Sequence, residues 1–188
     1  YLLWLKKPLL IAAELFISSG LPSYLYRFLI SRYKVQKILK GFKGEIRYDH
    51  HHSAHLHVAY YTSGWSESLV MSNEGDGFTE TCSIYHVQNG VWNKIIENKL
   101  PNSMGKFYEL ITELLGFNRH RHAGKITGLS AYGNPKKAYA IVSKLLYIRG
   151  DKVILDHRKY LRMLAYYTVY RKLPAELARY SREDLSAA

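Results

Sequence analysis

The spacing of apolar and polar positions divides the chain into helical and extended segments. Apolar residues recur every three or four positions over residues 8–40, which predicts helices broken by the "SSGLPS" of residues 18–23. Ser181 is expected to cap one more helix, with Asp184 at the capping-box position. Helical spacing also covers residues 56–61, 103–116, 136–147 and 157–172.

Extended segments are predicted between these helices. The clearest is "CSIYHVQNGVWNKII", residues 82–96, where Asn89-Gly90 indicates a tight hairpin turn. Three shorter strands are expected at "EIRY" (45–48), at the apolar run "ESLVMS" (67–72), which suits a buried strand, and at 152–155. The glycine-rich "HRHAGKITGLSAYGNP" (120–135) is predicted to be a loop. Strands and helices together indicate the α/β class.

Composition limits the classes of protein to consider. A chain of 188 residues that is 47% hydrophobic can form a folded domain and is not a disordered segment. It begins with Tyr1 and ends in a helix that has just started, so we expect an excerpt from a longer polypeptide. The stretch "LLIAAELFI" contains Glu14 and is too short to cross a bilayer, so no membrane partner is expected.

The single cysteine, Cys82, excludes an internal disulfide and indicates a reducing compartment, for which we expect the cytoplasm. We interpret it as a small buried apolar residue rather than as a nucleophile.

The net charge of +12 is concentrated in the two flanks of the chain. Residues 1–47 hold nine Lys and Arg against two acids, and residues 134–188 hold twelve against five. Basic flanks can attract phosphate-bearing partners, nucleic acid or a membrane surface, but they are also typical of a solvated surface. No basic motif interleaved with aromatics appears, so we do not expect a nucleic-acid partner.

Between the two flanks, in residues 48–133, the candidate functional residues are histidines, five of which occupy residues 50–57. His51 and His55 are four residues apart, so on a helix their imidazoles lie on one face and can share a metal ion. A stable site needs a third ligand, and we expect Glu74, in the glycine-rich "NEGDGF" turn, to provide it. Two imidazoles and a carboxylate suit iron, zinc or manganese. The alternative is a polar histidine cluster with no metal.

Three motifs together resemble a known enzyme family. They are "HHSAHLHVAYYTSGW" (51–65), "LVMSNEGDGF" (69–78) and "SMGKFYELITELLGFNRHRHAGKITGLSAYGNP" (103–135), and "SREDLSAA" is similar to the start of a later helix. In order and spacing they resemble the nodulation-type and antibiotic-tailoring O-carbamoyltransferases, from about residue 20 onward.

The resemblance implies an actin-like ATPase fold, with residues 1–188 forming part of one N-terminal domain. A further domain, absent from this chain, would form carbamoyl-adenylate from carbamoyl phosphate and ATP. The carbamoyl group would then pass to a hydroxyl of a small-molecule or sugar acceptor. The fold's first strand with its catalytic histidine, a later glycine-rich nucleotide motif and a last metal aspartate would also be missing. We therefore expect this piece alone to be inactive.

The resemblance also assigns residues to roles. It places metal ligands, usually for iron, at His51, His55 and Glu74, and the adenylate phosphate at a turn made of Glu74, Gly75, Asp76, Gly77 and Phe78. It assigns no catalytic residue within this chain, and Lys125, which could add a positive charge near the phosphate, and His52 are the candidates for such a role. Two positions depart from the family pattern, because Glu74 stands where the family has aspartate and Ala123 where it has glutamate.

Two other functions stay open at this point. One is a transferase similar to the tRNA threonylcarbamoyl enzymes, which the basic flanks favour. The other is a non-catalytic basic binding module whose histidines are structural. A homodimer is compatible with all of them.

Overall fold

The computed structural model describes residues 29–30, 32–77 and 79–188, and within these ranges the chain is a mixed α/β structure. The strands are β1 (Glu67–Gly77), β2 (Glu80–Gln88), β3 (Val91–Lys99), β4 (Leu146–Arg149) and β5 (Lys152–Leu155). The helices are α1 (Arg32–Ile38), α2 (His51–Ser63), α3 (Met104–Leu114), α4 (Ala123–Ser130), α5 (Pro135–Val142), α6 (His157–Tyr170) and α7 (Arg182–Ala187). The helices predicted before residue 29 lie outside the described residues.

The first three strands form an antiparallel sheet in the order β1-β2-β3. The turn between β2 and β3 is the predicted one, and both of its residues have positive φ, 49° at Asn89 and 79° at Gly90. Helix α2 packs on one face of this sheet, where Leu56 and Tyr60 meet Val70 and Val87 in a small apolar cluster. Helix α3 contacts β1 as well. Strand β1 thus contacts both helices.

A larger core joins the second half of the chain. It gathers the buried faces of α3 to α7 with the β4–β5 hairpin around residues such as Leu110, Ile126, Leu145, Met163 and Leu185. The predicted helix over 103–116 is confirmed, since α3 begins after Ser103, whose hydroxyl accepts the Lys106 N–H, and ends before Gly116 at φ 80°. Helix α7 is capped as predicted by Ser181, which accepts the Asp184 N–H.

Two predicted strands differ from the structure. Residues 45–48 are not a strand, because residues 41–50 are exposed and pair with no neighbouring strand among the described residues, so water can satisfy their backbone groups. Residues 67–72 do form a strand, but it lies at an edge of the sheet and is only half buried. Leu69 and Met71 on its outer face are 69% and 59% exposed, and β1 continues through the glycines to Gly77.

The predicted loop over 120–135 is also wrong, because it contains α4. Its two glycines lower intrinsic helix stability, but Ile126 is buried and α4 packs against α7, so tertiary contacts override that preference. The helix predicted over 136–147 ends earlier, at Val142. The chain turns there because Leu145 is fully buried and Leu146 pairs with Leu155 to open the β4–β5 hairpin.

Among the described residues, no helix has the length and apolar character that crossing a bilayer requires. The apolar stretch that contains Glu14 lies outside those residues.

Cys82 is buried in β2, as the sequence predicted, with 4% of its surface exposed. Burial raises the pKa of its thiol, because the thiolate loses hydration. We expect the native protein to react with an aromatic disulfide reagent far more slowly than the urea-unfolded protein. A rate in the native state equal to that in urea would show that β2 opens freely.

Candidate metal centre

Helix α2 determines where the histidines point. It starts after His50, which has an extended backbone, and ends at Gly64, which adopts the left-handed conformation that often terminates helices. Its buried face consists of His52, Leu56 and Tyr60, at four-residue spacing. His51 and His55 form the adjacent stripe, so packing of the buried face on the sheet directs these two imidazoles along the sheet's edge.

Strand β1 brings a carboxylate to the same place. Side chains alternate along a strand, so Glu74 follows Val70 and Ser72, both buried, on the face that α2 covers. One Glu74 oxygen lies 2.7 Å from His51 Nε2 and the other lies 2.7 Å from His55 Nε2. The two Nε2 atoms are 3.2 Å apart. The structure therefore brings together the three residues that the sequence singled out as metal ligands.

These three side chains, which we call the His-His-Glu cluster, fit a divalent metal ion. Their donor atoms all lie within 4.8 Å of one another. Two donors each about 2.1 Å from one ion, at tetrahedral or octahedral angles, lie about 3.0–3.4 Å apart, close to the observed His–His separation. The two His–Glu separations of 2.7 Å are hydrogen-bond distances and would have to lengthen slightly around an ion. Side-chain exposures of 36% for His51, 53% for His55 and 30% for Glu74 leave an approach from solvent. The longer glutamate, where the resembling family has aspartate, reaches both rings.

The glycine-rich segment after Glu74 was predicted to be a turn, and here the structure differs. Gly75, Asp76 and Gly77 continue β1, with a shift of register between Asn73 and Gly77, so residues 74–76 have no partner in β2. The strand continues because its partner β2 extends back to Glu80, which pairs with Gly77. Phe78 and the side chain of Asp76 lie outside the described part of the chain.

Ser103 and Gly105, which the sequence analysis did not select, fix this segment from the other side. The Ser103 hydroxyl lies 2.9 Å from the Gly75 carbonyl oxygen and 3.3 Å from that of Glu74. Gly105, in the first turn of α3, lies so close to Gly75 that a Cβ atom there would be 2.5 Å from the Gly75 Cα. Ser103 was recognisable in the sequence as a helix N-cap, but its contact with β1 was not.

An open cavity of about 420 Å³ lies beside this contact. Asn73 and Gly75 line it, with Tyr108 and Glu109 from α3. The two β1 residues that line the cavity therefore flank Glu74 in the strand.

The two candidate catalytic residues occupy different surroundings. His52 is 1% exposed and faces the sheet, and burial lowers the pKa of its imidazole, although the carboxylates of Glu80 and Glu74 oppose that shift. Lys125 lies on the exposed side of α4, with its ammonium 5.8 Å from the centre of the Phe117 ring. Helix α4 packs against α3 and α7.

Glu74→Gln keeps the size of the side chain and removes its charge. We expect this variant to bind Zn²⁺ or Fe²⁺ at least about tenfold more weakly, because an amide is a poorer ligand than a carboxylate. The melting temperature of the metal-free protein should change little, since the side chain is partly solvated. Calorimetric titration and thermal unfolding measure the two effects, and equal metal affinity in the variant would remove Glu74 from the ligand set.

Comparison with known proteins identifies a family match and several relatives. The family described as "Carbamoyltransferase N-terminus" matches residues 11–183. An uncharacterized protein of Synechocystis sp. is 28% identical over 130 residues, which cover 69% of this chain and 21% of that protein. Two uncharacterized proteins of Methanocaldococcus jannaschii are 37% identical over 102 residues (51% of this chain, 19% of theirs) and 26% identical over 138 residues (65% and 23%).

The chain thus spans about a fifth of the length of the curated relatives it matches. The family match covers nearly all of its residues, including the histidines of α2, the whole of β1 and the glycine-rich α4. The chain belongs to the carbamoyltransferase N-terminus family.

Proposed function

We propose that this chain is the metal-binding part of an O-carbamoyltransferase. The complete enzyme would move a carbamoyl group from carbamoyl-adenylate, made from carbamoyl phosphate and ATP, to a hydroxyl of a small-molecule or sugar acceptor. One observation carries the proposal: His51, His55 and Glu74, from a helix and a strand, meet within 4.8 Å in a member of a carbamoyltransferase family.

The donor set supports a transition metal. Two imidazole nitrogens and one carboxylate are typical of iron, zinc or manganese sites and not of calcium sites. When bound, such an ion supplies Lewis acidity to a mixed anhydride of carbamate and phosphate. The residues of the cluster would hold it with open positions toward solvent, because all three side chains are partly exposed.

The end of β1 supports a role in holding phosphate. Residues 74–76 have no ladder partner in β2, so their backbone N–H groups are the proposed donors to the adenylate phosphate. Gly75 has no side chain and lines the open cavity, which permits a close approach to its backbone. Asp76 lies between the glycines, and Phe78 completes the segment that we propose binds the adenylate.

Phosphate relaxation measures this arrangement directly. In this test the chain would be loaded with Mn²⁺, AMP would be added in place of the adenylate, and the ³¹P line width of the AMP phosphate would be recorded. We expect strong broadening that disappears in His51→Ala, because the bound Mn²⁺ would lie next to the phosphorus. The same broadening in wild type and in His51→Ala, at equal free Mn²⁺, would overturn the proposal that the cluster holds the metal beside a phosphate.

A further inference from the structure

His52 lies between two metal-ligand candidates in sequence but faces the opposite way. Only 1% of its surface is exposed, and neither Nδ1 nor Nε2 has a hydrogen-bond partner among the described residues. It shares a stripe with Leu56 and Tyr60, where an apolar side chain would avoid the free-energy cost of unpaired buried nitrogens. Stability of the fold alone does not account for histidine at this position.

The ring of His52 lies against the backbone of Gly77. A Cβ atom at residue 77 would be 2.1 Å from His52 Nε2 and 2.2 Å from His52 Cδ2. Gly77 is not among the glycines with positive φ, so glycine is needed here for space and not for backbone conformation. The His52 ring therefore occupies the space that a side chain at residue 77 would need, and this contact joins the first turn of α2 to the end of β1.

This contact adjoins the part of β1 that is not paired with β2. The ladder with β2 pairs Asn73 and then Gly77, and it skips the three residues between them, which include Glu74. On the side of α3, Ser103 holds the carbonyl groups of Glu74 and Gly75. On the side of α2, the His52–Gly77 contact adjoins the His-His-Glu cluster. His52 follows His51 in α2, and Gly77 lies three residues after Glu74 in β1.

We propose that His52 and Gly77 are a positioning pair, which sets the separation of α2 from β1 so that the Glu74 carboxylate meets His51 and His55 together. The role is one of shape, because neither ring nitrogen makes a hydrogen bond with the part of the chain that the structure describes. Its effect on a metal rests on the proposed function, whereas the contact itself belongs to the protein without metal.

A size-swap experiment tests the pair by Co²⁺ titration, with affinity and the visible absorption spectrum as readouts. Gly77→Ala puts a methyl group into the ring of His52 and should weaken Co²⁺ binding at least tenfold and alter the spectrum. His52→Ala leaves a gap beneath β1 and should also weaken binding. In the double variant the methyl group occupies part of that gap, so its affinity should be higher than that of Gly77→Ala.

His52→Leu is the conservative variant, since leucine has a similar volume and no polar atoms. It should bind Co²⁺ within about threefold of wild type, whereas His52→Ala should not. Gly124→Ala is the control, because a Cβ atom at that exposed residue meets nothing within 4 Å, and we expect wild-type binding.

Wild-type Co²⁺ affinity in Gly77→Ala would overturn the pair. So would a loss of binding free energy in the double variant equal to the sum of the two single losses. A third contradicting result is a His52→Leu variant that binds Co²⁺ as weakly as His52→Ala. Wild-type protein that binds no Co²⁺ would instead count against the proposed function. In that case the metal-free proteins test the contact: the changes in melting temperature caused by His52→Ala and Gly77→Ala should not add up to the change in the double variant, and additive changes would overturn the pair.

Discussion

Alanine at His51 or His55 is expected to lower the affinity for Fe²⁺ or Zn²⁺ by at least about 100-fold. Removing a group that only hydrogen-bonds to a metal ligand typically lowers metal affinity about 10–100-fold, and these imidazoles would be ligands themselves. The rings project from a helix whose buried stripe is made by other residues, so the fold should survive. Anaerobic calorimetry gives the affinity, and circular dichroism verifies the helix content.

His57→Ala is the matched control. It lies on the same helix, is exposed, and makes its ring contact with Trp92, 4.8 Å away, instead of with the His-His-Glu cluster. Its metal affinity should equal that of the wild type. If His57→Ala and His51→Ala lost the same affinity, the metal would be held by histidines in general and not by a built site.

Gly105→Ala is expected to destabilise the fold by about 2–3 kcal/mol, at the upper end of typical overpacking costs. The added Cβ would lie 2.5 Å from the Gly75 Cα and 2.6 Å from the Gly75 nitrogen. Those are backbone atoms, which cannot rotate out of the way, so α3 and β1 must separate. For a chain of this size the melting temperature should fall by roughly 4–12 °C.

Glycine to alanine at residue 128, in α4, should instead stabilise the fold. A Cβ atom at Gly128 meets nothing within 4 Å, and replacing glycine by alanine inside a helix stabilises by about 0.5–1 kcal/mol. Gly105→Ala should also weaken metal binding, because the residue it displaces follows Glu74. An unchanged melting temperature in Gly105→Ala would mean that α3 and β1 are not packed as described.

Local signals in the sequence predicted the elements that rest on local chemistry. Asn89-Gly90 specified the hairpin because its two residues tolerate positive φ, and Ser181 specified the start of α7 because its hydroxyl caps the helix. The one-turn spacing of His51 and His55 also required only a helix. For these features sequence and structure agree.

Features that depend on distant partners were not visible in the sequence. Residues 45–48 have strand composition but no neighbouring strand, and α4 forms despite its glycines because α7 covers Ile126. The glycines after Glu74 indicated a turn, yet pairing of Gly77 with Glu80 keeps them in β1. The need for glycine at 77 and 105 comes from His52 and from Gly75, each more than twenty residues away in sequence.

Diffraction from crystals soaked in Zn²⁺, measured at the zinc absorption edge, examines the His-His-Glu cluster with the fewest assumptions. We predict one anomalous peak about 2.0–2.2 Å from His51 Nε2, His55 Nε2 and a Glu74 oxygen. Crystals that show zinc elsewhere on the protein, or no zinc at all, with the two imidazoles and the carboxylate bonded only to one another, would refute the metal centre.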